Sequence, residues 1–182
     1  MRQLWNFWSG ALSDTDVQNI IALAQNYPVQ DAGISHENKQ NANVRVSQIR
    51  WLTGNQEIND MLYRYVLEAN RNAFGVDVTP FSNIQYTEYE GSAGGHYDWH
   101  NDVHWQQDLA FDRKLSVTVQ LSDPEDYEGG LFEFKHDQPL PKEAFVKGSV
   151  LVFPSYLEHR VAPVTAGNRK SLVAWFEGPR WR

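Results

Sequence analysis

The chain has 182 residues and no cysteine, so disulfides, iron–sulfur clusters and thiol nucleophiles are excluded, and any metal ligand must be histidine or carboxylate. At 41% hydrophobic and 21% charged it has a globular composition, with length for one domain and too little for two comfortable ones. A net charge of -7 without any Lys/Arg run disfavours nucleic acid as a partner and favours a protein, a peptide or a small molecule.

The stretch Met1–Gly10 has no long apolar run and soon meets Asp14 and Asp16, so it does not read as a signal peptide. No segment reaches the roughly 20 apolar residues of a membrane span, and a cytoplasmic protein is expected. Ser13-x-x-Asp16 resembles a capping box, and Val17, Ile20, Ile21 and Ala24 follow at helical spacing until Tyr27-Pro28. Residues 29–43 have no usable period and read as a loop, and Val44–Leu52 reads as one strand. A second helix is expected from Asn55, with Ile58, Met61, Leu62, Tyr65 and Ala69 as its apolar stripe and Gly75 as its stop.

After Thr79-Pro80 the period changes to two. Asn83–Tyr89 alternates as a strand, and Leu115, Val117, Val119 and Leu121 alternate with Lys114, Ser116, Thr118 and Gln120. Asp123-Pro124 opens a turn-rich loop ending in Gly129-Gly130, and Leu131–His136 is a further strand. The apolar run Ser149–Phe153, the short extended segment His159–Val164, a turn at Ala166-Gly167-Asn168 and a last strand Arg169–Phe176 complete the chain. Two helices followed by many short strands predict a mainly β (α+β) fold, a β-sandwich or jelly roll buttressed by N-terminal helices. The expected organisation is one domain over 1–182, with 1–80 as helical support and 81–182 as the core that carries the site.

The chemistry concentrates in Gly94–His104. If that run is one extended strand, His96, Asp98, His100, Asp102 and His104 share a face. Residues two apart on a strand stand about 6.6–6.8 Å from each other, so one ion can use only one of the two His-x-Asp pairs. Two histidines and one carboxylate on one face of an octahedral ion mark non-haem Fe(II) oxygenases. The second histidine must then come from elsewhere, with His136 and His159 as the candidates.

The ordered set of motifs resembles the prolyl 4-hydroxylase-like branch of the Fe(II)/2-oxoglutarate dioxygenases, particularly small bacterial and phage members. The pieces are Gly94-Gly95-His96-Tyr97-Asp98-Trp99-His100-Asn101-Asp102, Gly129-Gly130-Leu131-Phe132-Glu133-Phe134 and Gly148-Ser149-Val150-Leu151-Val152-Phe153. They continue with His159-Arg160-Val161-Ala162-Pro163-Val164-Thr165-Ala166-Gly167-Asn168-Arg169 and then Trp175. The resemblance implies a double-stranded β-helix (jelly roll) with His100, Asp102 and His159 as iron ligands. It implies Arg169 for the distal carboxylate of 2-oxoglutarate, with Ser171 and Tyr89 beside it, Tyr86 being the rival tyrosine. O2 is the second cosubstrate, and ascorbate is a reductant for the iron. The implied reaction hydroxylates a C–H bond, proline in a peptide being the usual target, with release of succinate and CO2. The same chemistry on a nucleobase or small molecule, or a non-enzymatic metal-binding jelly roll, are the alternatives. Trp175 stands where the nucleic-acid-repair branch has a further arginine, which speaks against that branch.

Overall fold

The first helix begins where its cap is built. Ser13 Oγ accepts from Asp16 N at 3.2 Å while the Asp16 carboxylate accepts from Ser13 N at 3.1 Å, satisfying two amides that no helical turn reaches. The computed structural model describes residues 4–32 and 42–182. In chain order the first half gives β1 (Asn6–Trp8), α1 (Asp14–Ala24), β2 (Gln30–Asp31), β3 (Arg45–Val46), β4 (Gln48–Trp51) and α2 (Gln56–Ala69). Asn55 caps α2, its Oδ1 accepting from Ile58 N at 3.0 Å. The chain runs on through a π turn at Asn70–Phe74, and Gly75 closes it at φ 63.

The second half supplies β5 (Ser82–Glu90), β6 (His96–His100), β7 (Phe111–Gln120), β8 (Tyr127–Gly129), β9 (Phe132–Phe134), β10 (Val150–Pro154), β11 (His159–Val161) and β12 (Val164–Pro179). The larger sheet runs β1-β10-β7-β12-β5-β4-β2 with β8 added to β12, and the smaller runs β3-β6-β11-β9. The pairings are antiparallel throughout the described residues.

Alternation splits the larger sheet into two buried faces. Val117 and Val119 of β7, Leu172 and Phe176 of β12, and Ile84 and Tyr86 of β5 pack on Val17 and Ile20 of α1 and Leu62 and Val66 of α2. Each fully buried aliphatic or aromatic side chain there contributes about 1.5–3 kcal/mol. The opposite face meets the smaller sheet, with Tyr89, Leu151 and Phe153 against Phe132, Phe134 and Val161. This is a mainly β double-stranded β-helix core buttressed by N-terminal helices. No helix among the described residues is long and apolar enough to cross a membrane.

Several local expectations are corrected. Val44–Leu52 is two strands in different sheets: Arg45–Val46 pairs with β6 and Gln48–Trp51 with β5, with Ser47 at the crossover. Of the 29–43 loop, Gln30–Asp31 pairs with β4, and residues 33–41 lie outside the described residues. Tyr127–Gly129 is a strand on β12, not part of a turn. The turn placed at Ala166–Asn168 lies inside β12, whose first part pairs with β8 and whose remainder pairs with β5 and β7. On α2 the buried stripe includes Val66, while Met61 and Tyr65 are only partly covered. β1, which pairs with β10, has too few residues to show a period.

Candidate active site

A bulge in β6 builds the site. His100 lies opposite His159 and Tyr97 opposite Val161, so three residue steps on β6 face two on β11. The extra residue reverses the alternation between Tyr97 and His100. Tyr97 and His100 therefore share a side, their rings stacked 3.5 Å apart at 14°. Trp99 lies instead under the Arg160 guanidinium, 4.6 Å from it. The expectation that five side chains share one strand face is thus corrected. β6 ends at His100, and Asp102 is held off the ladder by its N–H donating to Ser155 O at 2.8 Å. His104 lies in the loop beyond.

Ligand atoms of His100, Asp102 and His159 fall within 4.8 Å of one another. His100 Nε2 stands 3.8 Å from Asp102 Oδ1, and His159 Nε2 stands 3.6 Å from Asp102 Oδ2. His100 Nδ1 lies 2.7 Å from Asp98 O, and His159 Nδ1 lies 2.8 Å from Leu157 O. A carbonyl only accepts, so each Nδ1 carries the proton and each Nε2 presents its lone pair to the shared centre. Asp102 Oδ2 accepts from Ser116 Oγ at 2.6 Å, and Ser116 Oγ is 2.9 Å from Ser155 Oγ. The larger sheet thereby orients the carboxylate that the smaller sheet's histidines face.

Electrostatics act on His100 and Asp102 in opposite senses, leaving the first neutral and the second ionised. Burial first, and then the neighbouring His159, push the His100 imidazole down to about 3, so it is neutral at pH 7. Burial alone would raise the Asp102 carboxyl. The neighbouring His159 and His100 rings, the Arg113 guanidinium and the Ser116 hydrogen bond outweigh it, and the group lies below the usual carboxylate range. A neutral His100, a His159 ring whose Nδ1 is turned to a carbonyl and an ionised Asp102 form a donor set that suits a first-row divalent ion such as Fe(II).

Arg169 lies deeper, 1% exposed on β12. Its Nη2 donates to Gln120 Oε1 at 2.8 Å, while Nε and Nη1 have no partner among the described residues. Leaving a buried donor unpaired costs about 1–3 kcal/mol, so this fork is shaped for an anion, and a carboxylate matches it bidentately. Gly130 makes the room: a Cβ there would stand 2.9 Å from Arg169 Cδ and Val164 Cγ2, at a φ of 61. Ser171 is buried two residues along the same strand, and the Tyr89 ring is 5.6 Å from the guanidinium carbon. Tyr86 faces the helices and donates to Glu88 at 2.6 Å.

The remaining sequence candidates lie elsewhere. His136 is 79% exposed beside Glu158, and His96 Nδ1 is 2.8 Å from Gly94 O. Sequence reasoning missed Ser116 and Gln120, whose signal was the polar half of β7, a strand covered on both faces. It also missed Arg113, 4.0 Å over the Trp175 ring, and Arg45, 4.4 Å over Tyr97. Trp175 is buried and lies 6.0 Å from Trp51.

A family model described as the 2OG-Fe(II) oxygenase superfamily matches residues 84–177. The chain belongs to that superfamily. A PKHD-type hydroxylase of Hyphomonas neptunium is 38% identical over 89 residues, which is 48% of this chain and 39% of that protein. The match thus spans well under half of the relative's own length. Among solved structures, a Pseudomonas putida prolyl-4-hydroxylase superposes with a TM-score of 0.71 at 24% identity, covering 96% of this chain and 93% of that one. A Trichoplax adhaerens prolyl hydroxylase superposes with a TM-score of 0.72 at 18% identity, covering 95% and 83%. These two share the fold.

Proposed function

We propose that this chain is an Fe(II)- and 2-oxoglutarate-dependent dioxygenase that hydroxylates a C–H bond in a peptidyl side chain, proline being the first candidate, with release of succinate and CO2. The observation that carries the reading is the pairing, inside one sandwich, of the His100–Asp102–His159 cluster with the half-bonded guanidinium of Arg169. His100, Asp102 and His159 would hold the iron. Arg169, with Ser171 and Tyr89, would hold the distal carboxylate of the keto acid. When bound, iron with O2 and the keto acid supplies the oxidation, and ascorbate returns iron to the ferrous state. The chain itself fixes both imidazoles through Asp98 O and Leu157 O, orients Asp102 through Ser116, and shields His159 from water with Phe132, Phe134 and Phe153. No side-chain base is required for hydrogen abstraction from carbon.

A peptide is favoured as prime substrate because the Trichoplax prolyl hydroxylase is in complex with a hypoxia inducible factor peptide fragment. Purified protein supplied with Fe(II), ascorbate and 2-oxoglutarate is expected to form succinate, slowly on its own and faster with a proline-containing peptide. Failure to form succinate under both conditions would refute the proposal.

A further inference from the structure

Gln120 ends β7 almost wholly buried, and its Oε1 accepts from Arg169 Nη2 at 2.8 Å. A guanidinium only donates, so the amide must turn its oxygen to Arg169 and its NH2 away, where Nε2 lies 3.5 Å from Tyr127 Oη. Buried charges are normally paired, because an unpaired one is costly to desolvate. Here the hydrogen-bonded neighbour of Arg169 is neutral. A glutamate of nearly the same shape at this position would cancel the charge in place.

We infer that Gln120 is a specificity-determining residue for the keto acid. By satisfying one arm of Arg169 with an uncharged oxygen, it leaves the full positive charge for the distal carboxylate of a dicarboxylic keto acid. A monocarboxylic keto acid of the same length would strand that charge and is disfavoured. Gln120 acts through Arg169 and is a positioning residue. The inference rests on the assignment of Arg169 to 2-oxoglutarate made above.

The test uses the full chain loaded with redox-inert Mn(II) and titrates 2-oxoglutarate and 2-oxopentanoate calorimetrically. Native protein is expected to prefer the dicarboxylate. Gln120→Glu should weaken 2-oxoglutarate binding about 10- to 100-fold, the range of one charged hydrogen bond, while 2-oxopentanoate binding holds within a few-fold. Gln120→Met, neutral and of similar size, should keep the dicarboxylate preference. Retention of the native preference in Gln120→Glu overturns the inference. So does an equal loss in Gln120→Met, or loss of both keto acids by Gln120→Glu with Mn(II) still bound, since either points to packing and not charge. Native protein that binds Mn(II) but not 2-oxoglutarate refutes the assignment of Arg169, and the inference falls with it.

Discussion

Tyr97 lies flat on His100, ring centroids 3.5 Å apart, although they stand three residue steps apart along one strand. In a regular strand they would point to opposite faces. The bulge at Asp98–Trp99 brings them together and sets His96 and Asp98 apart from the cluster.

The two His-x-Asp pairs should therefore respond differently to alanine. His100→Ala, Asp102→Ala and His159→Ala should each weaken Mn(II) binding more than about 100-fold, beyond what loss of an outer partner costs. His96→Ala and Asp98→Ala should leave it within a few-fold, since Asp98 serves His100 through its backbone carbonyl. Metal titration of the five variants reads this directly, and loss confined to the second group would reverse the assignment.

Ser116→Ala removes the hydroxyl that donates to Asp102 Oδ2 at 2.6 Å. Metal affinity should fall about 10- to 100-fold, the usual cost of losing an outer-shell partner. Ser116→Thr, which keeps a hydroxyl, should restore part of it. Equal metal affinity in native and Ser116→Ala protein would show that the Asp102 rotamer is held by packing alone.

Gly130→Ala places a methyl 2.9 Å from the Arg169 stem at a left-handed φ. Strain and overpacking together should cost about 1–3 kcal/mol of stability. Because the stem is what moves, 2-oxoglutarate binding by the Mn(II) form should fall further than metal binding does. Thermal melts and paired titrations distinguish this local effect from general unfolding.

Alkaline stability should depend on Tyr86. Burial first, then its hydrogen bond to Glu88 and the charge of that residue, raise the phenol well above its ordinary 10. The unfolded chain releases this proton near pH 10 while the folded chain keeps it. The native preference is thus fully present below pH 10 and is lost as pH rises toward the folded value. The slope for one such proton is at most about 1.4 kcal/mol per pH unit. Tyr97, pushed up to about 12 by burial, adds to the loss between pH 10 and 12. Tyr86→Phe should flatten the urea-midpoint profile above pH 10 by about one proton, and an unchanged slope would contradict the burial argument.

Much of the fold was legible because β7 alternates strictly from Lys114 to Gln120 and because Ser13 and Asn55 cap their helices through side chains that sequence displays. The bulge in β6 was not legible. His-Tyr-Asp-Trp-His alternates polar and aromatic in either register, and only pairing with β11 decides which face each residue takes. The break at Ser47 was hidden for a related reason, since a residue passing between two sheets has no period of its own. At the site, spacing alone left two His-x-Asp pairs and two distal histidines open, and it was the resemblance of the ordered motifs to the dioxygenase family that pointed to His100, Asp102, His159 and Arg169. Gln120 and Ser116 did not stand out, because the polar side of a strand covered on both faces reads like an ordinary solvent-facing one until the second sheet is known.

The division of labour around Asp102 has a mechanical side. His100 and His159 belong to the smaller sheet, whereas the Asp102 carboxylate is tied to Ser116 of the larger and its backbone to Ser155, just past the end of β10. An ion bonded to all three would act as a rivet through both layers at the mouth of the sandwich, while the phenylalanine cluster holds the interior. Iron loading and parting of the sheets then become a single equilibrium, and a chelator should loosen that mouth before it disturbs the helices.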